Sequence, residues 1–312
     1  MQASDVSVPT SPVAGGELAT GHAEEPVVRL RHPWRWVAVA VIAVYAGVLV
    51  KFLVTNDALR WDLVSGYLFE TSILHGIVTT LKVTVVAMVL GVVLGTVLAV
   101  MRLSENPVLR WSAGVYVWFF RGTPILVQLL GWYFLASVLP EISLGIPFGP
   151  SFATWSTNTV ITQFMAAILG LGLNEAAYMA EIVRAGIGGV DKGQAEAAEA
   201  LGMSPVVAYR RIILPQASRL IIPPTANETI TMLKQSSLVV VLGMLDLLGT
   251  AQAIYSRNFQ QIPLLLVASI WYLAMTTVLT YGQARLERRM SRGTAGVASR
   301  PRRTALNRGG AR

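Results

Sequence analysis

The chain has 312 residues, 54% hydrophobic and only 13% charged, against about 25% charged in soluble domains, so a polytopic membrane protein is expected. The absence of cysteine excludes disulfides, thiol catalysis and thiolate metal sites. The net charge of +8 invites a nucleic-acid reading, but residues 285–312 hold nine Arg and one Glu and carry the whole excess; a basic tail directly after an apolar segment is a topology signal or an anionic-lipid contact, and no nucleic-acid partner is expected.

In chain order, residues 1–28 have four acids, no Lys or Arg, and many Pro, Gly, Ser and Ala. They read as a disordered cytoplasmic extension rather than a cleavable signal. Residues 29–69 then supply a first transmembrane helix and an outer loop. Arg29, Arg31 and Arg35 lead into an apolar stretch at 36–54, Lys51 snorkels from its far end, and Trp61 and Tyr67 rest at the outer interface. The second span lies within 74–101, and its Gly91-x3-Gly95 favours close helix packing. Arg102, Pro107 and Arg110 mark the next loop; Tyr116 to Pro124 then leads into the apolar run 125–139, the third span, and 140–159 is a Gly/Pro-bearing loop.

The stretches 160–183 and 221–245 are more polar than lipid-facing helices. They carry Gln163, Asn174, Glu175 and Glu181, then Asn227, Glu228, Lys234 and Gln235. Both are expected inside a bundle or along a water-filled path, where intramembrane polar groups are tolerated. Residues 262–281 close an all-α membrane bundle of six transmembrane helices, and 285–312 form a disordered basic cytoplasmic tail. With both termini in the cytoplasm, twenty Lys and Arg fall on the inner side and only Arg60 and Arg257 outside.

Between the two polar spans lies a cytoplasmic segment, 193–224. Gln194 to Leu201 is rich in Ala and Glu and forms a helix. Gly202 ends it in a left-handed conformation, and Ser204 and Pro205 begin a second helix. Pro215 is expected to stop that helix near Ile213 by disfavouring helical geometry at Leu214. The small face of the first helix lets a partner backbone approach, with Glu196 as the charge to be read. A solvated hairpin without a partner is the alternative.

The spacing Glu196-Ala197-Ala198, Gly202, Ile212, Leu214, Pro215 resembles the EAA loop of the membrane subunits of bacterial ABC importers. Three further stretches, 120–129 (FRGTPILVQL), 177–184 (AYMAEIVR) and 233–238 (LKQSSL), are similar to signatures of the polar amino-acid permeases of the histidine, arginine, glutamine and glutamate type. The resemblance covers about residues 70–290. It implies a five-helix permease core, here 70–284 with its coupling loop at 193–215, so that the first helix and both tails are additions. It further implies a multi-pass protein of the bacterial inner membrane that moves polar amino acids or related zwitterions into the cell. A second permease copy or a homologous permease would complete the pathway, an extracytoplasmic solute-binding protein would deliver the amino acid, and a pair of ABC ATPase subunits would dock on the EAA loops. The chain has no G-x4-G-K-[ST] phosphate loop and no cofactor of its own, so ATP and Mg belong to the partner ATPase.

Glu175, Lys234 and Gln163 are the candidate pathway residues. A charge at membrane depth costs about 2.5–3.5 kcal/mol and needs a partner, whether a zwitterionic substrate or an internal ion pair. Arg121, with Gly122, Thr123 and Pro124, is a candidate gate or inner-interface element, with lipid headgroup contact as its other role. Glu181 and Arg184 are spaced to pair on one helix. His22, His32 and His75 are scattered and form no metal motif. An ion-gradient-driven secondary amino-acid transporter would explain the buried charges but not the spaced EAA loop, and a membrane enzyme would need a catalytic constellation that is absent from the sequence.

Overall fold

The computed structural model describes residues 34–146 and 150–291. The expected extension over 1–28, Arg29, Arg31, His22, His32 and the tail from 292 onward lie outside the described residues. Helix α1 (Trp34–Thr55) belongs to a unit of its own, residues 1–56, and exposes every side chain. A helix so apolar on all sides is suited to lipid rather than to water.

The second unit begins with α2 (Trp61–Leu68), followed by α3 (Thr71–Leu103), α4 (Pro107–Gly122) and α5 (Ile125–Tyr133). After a hairpin of β1 (Glu141–Gly145) and β2 (Ser151–Ser156) come α6 (Thr157–Val160) and α7 (Gln163–Gly188). The coupling segment holds α8 (Lys192–Ala200) and α9 (Pro205–Ala208); then follow α10 (Leu214–Gln235), α11 (Leu247–Asn258) and α12 (Gln261–Ser291).

The core is built on α3 against α7. A Cβ on Gly91 would stand 2.5 Å from Glu175 Cγ, and one on Gly95 would stand 2.8 Å from Ala176 O and collide with Met179. Four residues along α3 therefore match four along α7, so the helices run parallel, at a separation that only glycine allows. Val83, Ala87 and Met88 of α3 meet Ala166, Ala167 and Leu171 of α7, and α5 and α10 add Leu129 and Met232. A second cluster joins Val64, Ile73, Ile77, Leu247, Leu264 and Val267.

Several expectations need correction. The all-α bundle contains one antiparallel hairpin within the expected loop 140–159, pairing Glu141 with Ser156 and Leu144 with Ala153. The expected outer loop is partly helical and packed into the core unit: Val64 is buried, and the Trp271 indole donates to Leu68 O at 2.7 Å. Residues 57–69 thus group with the core and not with α1. The apolar run 125–139 is α-helical only as far as Tyr133, and α5 meets α4 at 101°. Residues 285–291, expected in a disordered tail, continue α12.

Pro215 does not end its helix. The five residues before α10, Tyr209–Ile213, form a π-turn in which Leu214 N–H donates to Tyr209 O. The extra residue offsets the carbonyl ladder from the ring, so Pro215 enters in the first turn of α10, where its missing N–H matters least.

Among the described residues four helices are long and apolar enough to cross a membrane, or six if each of the two bent pairs, α4 with α5 and Pro205–Leu242 with α11, counts as one span. The buried seam yields a direct test. Gly95→Leu should destabilise the detergent-purified protein by about 1–3 kcal/mol through overpacking. Gly114→Leu, where an added Cβ meets nothing within 4 Å, should leave the melting temperature unchanged.

Candidate functional site

The coupling segment is capped at both ends of its first helix. Asp191 accepts from Gly193 N–H at 2.7 Å and starts α8. At the far end, Met203 N–H reaches Ala198 O at 3.0 Å and Gly202 N–H reaches Glu199 O at 2.8 Å, with Gly202 at φ +72°. Both hydrogen bonds belong to the left-handed helix stop expected of glycine. Glu196 and Ala197 are exposed, Ala198 is buried, Ile212 is half-buried, and Leu214 and Pro215 are exposed. Two residues that sequence reasoning passed over dominate the tip: Leu201 is 79% and Val206 76% exposed, on either side of Gly202.

The two legs of the segment are clasped together. A Cβ at Gly186 would collide with Ile221 of α10, and one at Gly189 would stand 3.0 Å from Leu220 Cδ1. The Gln216 amide donates to Gln194 Oε1 at 3.3 Å. The end of α7 and the start of α10 are therefore packed against each other at the base of the loop between them.

Arg121, Gly122, Thr123 and Pro124 make the α4–α5 corner. The Arg121 guanidinium lies over the Tyr178 ring, 5.1 Å from its centroid, and Thr123 and Pro124 bridge the two helix ends. The corner's backbone carbonyls are satisfied by two buried amides. Gln128 Nε2 donates to Phe120 O at 2.9 Å, to Thr123 O at 3.1 Å and to Thr123 Oγ1 at 2.7 Å. Asn174 Nδ2 donates to the same Phe120 O at 2.8 Å and to Gln128 Oε1 at 3.3 Å. Asp246 serves a second break in the same way, accepting from Gly249 N–H at 2.8 Å and from the Tyr272 hydroxyl at 3.2 Å. The roles of Gln128 and Asp246 were not anticipated, although a lone amide in an apolar run and an Asp-x-x-Gly spacing were available signals.

The candidate pathway residues do not form one cluster. Gln163 and Glu175 are twelve residues apart, about 18 Å along α7, and Gln163 borders a separate cavity of about 460 Å³ beside Tyr133 and Asn158. Lys234 is exposed and, among the described residues, forms no salt bridge, so it does not neutralise Glu175. Glu175 is 2% exposed and, among the described residues, its Oε1 has no hydrogen-bond partner. The charged group within electrostatic reach is a second carboxylate, Glu228 of α10, which is half-buried.

Depth follows from α3. Lys82 and Arg102 are twenty residues apart, about 30 Å of helix and the thickness of a hydrocarbon core. Gly91 lies near the middle of that interval, and Glu175 packs on it. At the Arg102 end the arginine pairs with Glu181, which also accepts from Arg184 at 2.7 Å. The expected Glu181–Arg184 pair is thus a three-residue clamp between α3 and α7.

The family described as "Binding-protein-dependent transport system inner membrane component" matches residues 91–292. The chain is 47% identical over 267 residues to the arginine transport system permease protein ArgU of Corynebacterium glutamicum, covering 85% of this chain and 83% of that one. It is 37% identical over 218 residues to the arginine transport system permease protein ArtQ of Bacillus subtilis, covering 70% and 92%. Among solved structures it is similar to an amino acid ABC transporter crystallised with histidines, at 37% identity and a TM-score of 0.60, covering 70% of this chain and 94% of that one.

The amide knot at the corner is testable by a double-mutant cycle. Gln128→Leu and Asn174→Leu should each cost about 1–3 kcal/mol by leaving buried polar groups unpaired. The double variant should lose less than the sum, because both amides serve Phe120 O; unfolding of the purified protein in mixed micelles reads all three.

Proposed function

Because the chain belongs to the family of binding-protein-dependent transport system inner membrane components, it is the permease subunit of an ABC importer, and we propose that its cargo is an amino acid with a cationic side chain, of the arginine class. One observation carries this reading. Glu175, at half-depth with an unpartnered oxygen, lies within electrostatic reach of a second acid, Glu228, and among the described residues forms no salt bridge. Two acids on neighbouring helices, α7 and α10, attract a guanidinium or ammonium and repel an acidic side chain. The names of the two arginine permeases it resembles agree with this reading.

In the proposed arrangement each bent helix pair crosses once, giving six spans in the bacterial inner membrane with both termini in the cytoplasm. The excess of Lys and Arg on one set of loops supports that orientation. The exposed tip formed by Leu201, Gly202 and Val206, with Glu196 beside it, docks into a cytoplasmic ATPase subunit, which holds ATP and Mg and carries out the hydrolysis. A second copy of the chain or a homologous permease completes the pathway, and an extracytoplasmic binding protein delivers the amino acid. The clasp between α7 and α10 carries the movement of the docked loop into the two helices that bear Glu175 and Glu228. Arg121, at the α4–α5 corner, is placed to gate the path from the side of Tyr178.

Two measurements test this. The tagged chain purified from its native membrane should bring down an ATPase subunit, and Gly202→Pro should lose it, since proline cannot adopt φ +72°. In proteoliposomes of the complete transporter, arginine uptake should fall at least about tenfold in Glu228→Gln, the loss of one charge-assisted contact. Unchanged arginine uptake in that variant, or uptake of glutamate in preference to arginine by the native protein, would refute the cationic cargo.

A further inference from the structure

A cavity of about 420 Å³ lies where the α7–α8 turn, the start of α10 and the end of α12 converge, away from Glu175. Its charged lining is Asp191 from the turn, Arg219 from α10 and Glu287 from α12, and Gln216, Leu220 and Pro223 are among its uncharged walls. Its size is that of a small-molecule site. All three side chains are exposed, and among the described residues Arg219 forms no salt bridge, although two carboxylates share its cavity. One oxygen of Asp191 caps Gly193 N–H, and one of Glu287 accepts from the Gln283 amide at 2.9 Å. The second oxygen of each carboxylate has no hydrogen bond among the described residues.

One cation and two carboxylates are the charge complement of a molecule with one carboxylate and two cations. A free basic amino acid has that pattern, in its α-carboxylate, α-ammonium and side-chain cation. We propose that this cavity is a second, regulatory site for a basic amino acid, entered from the cytoplasm. Arg219 receives the carboxylate, and Asp191 and Glu287 receive the two cations. The proposal rests on the cytoplasmic orientation and cationic cargo proposed above, and makes the imported product its own inhibitor.

The position accounts for inhibition. Pro223 and Pro224 lie inside α10 and lack N–H groups, so the carbonyls of Arg219 and Leu220 lose their helical donors and the helix is weakest there. Arg219 and Pro223 both line the cavity. A ligand bridging Asp191, Arg219 and Glu287 ties this weak turn to both legs of the coupling segment and to α12. Movement of the docked loop toward the half of α10 that bears Glu228 is then resisted.

The test uses the complete permease–ATPase complex in nanodiscs without binding protein, titrated calorimetrically with L-arginine, with agmatine, which lacks the carboxylate, and with citrulline, which lacks the side-chain cation. L-arginine should bind and both analogues should bind at least about tenfold more weakly, as the loss of one charge-assisted contact predicts. Arg219→Gln and Glu287→Gln should each weaken L-arginine by a similar factor and relieve its inhibition of ATP hydrolysis. Glu228→Gln should keep this binding, which separates the cavity from the pathway: transport failing in Glu228→Gln with binding intact supports two sites. Arginine binding that survives in Arg219→Gln but disappears in Glu228→Gln overturns the proposal while leaving the cargo reading intact. If ending the chain at Ser291 relieves a resting inhibition that added arginine does not change, the cavity holds the chain's own arginines and the proposal also fails.

Discussion

The close approach of α3 and α7 governs everything that follows. Gly91 and Gly95 let the two parallel helices touch along their backbones, and the space opened at Gly91 is taken by the side chain of Glu175. Packing here sets electrostatics directly. A larger residue at 91 would displace the Glu175 side chain from the seam. At the far end of the same interface, Glu181 between Arg102 and Arg184 prevents the helices from sliding. The seam is small-residue contact for most of its length and ionic at one end, as expected where lipid offers helices no hydrophobic reason to associate.

The helices around this seam are broken rather than straight, and every break must satisfy backbone groups with no water nearby. Gln128 and Asn174 close the α4–α5 corner, and Asp246 caps α11 after the left-handed turn at Gly243. The buried polar side chains therefore divide into two kinds. Most are committed to holding the chain's own geometry. Glu175 keeps an oxygen without a partner; among the described residues it shares this with Ser72 Oγ, and of the two only Glu175 is ionisable.

The coupling segment is the converse case, with polar and apolar groups exposed where an isolated loop would hide the latter. Its two helices meet at Gly202 with Leu201 and Val206 outward, while Gly186, Gly189 and Gln216 bind its legs into one body. A stiff lever with a sticky tip is suited to transmitting force between subunits. The prolines at 223 and 224 then provide the place where the lever joins a more deformable helix.

Much of this was readable from residue order. Hydrophobic composition established the membrane class, Gly91-x3-Gly95 the close packing, and Ala-rich sequence ending in Gly202 the bend of the coupling loop, because each depends on neighbours within a few positions. Where the outcome depended on distant groups, local reasoning failed. Pro215 is expected to end a helix that continues through a π-turn, and the run 125–139 to form the third span by itself, where α4 and α5 instead meet at a sharp corner stabilised by Gln128 and Asn174. Glu175 and Lys234 are both ionisable residues in polar spans, and nothing local distinguishes them. The packing of α3, α7 and α10 makes one a buried acid beside Glu228 and leaves the other exposed. Periodicity and turn chemistry are encoded along the chain, whereas partnership between charges is a property of three-dimensional distance, which only the assembled helices supply.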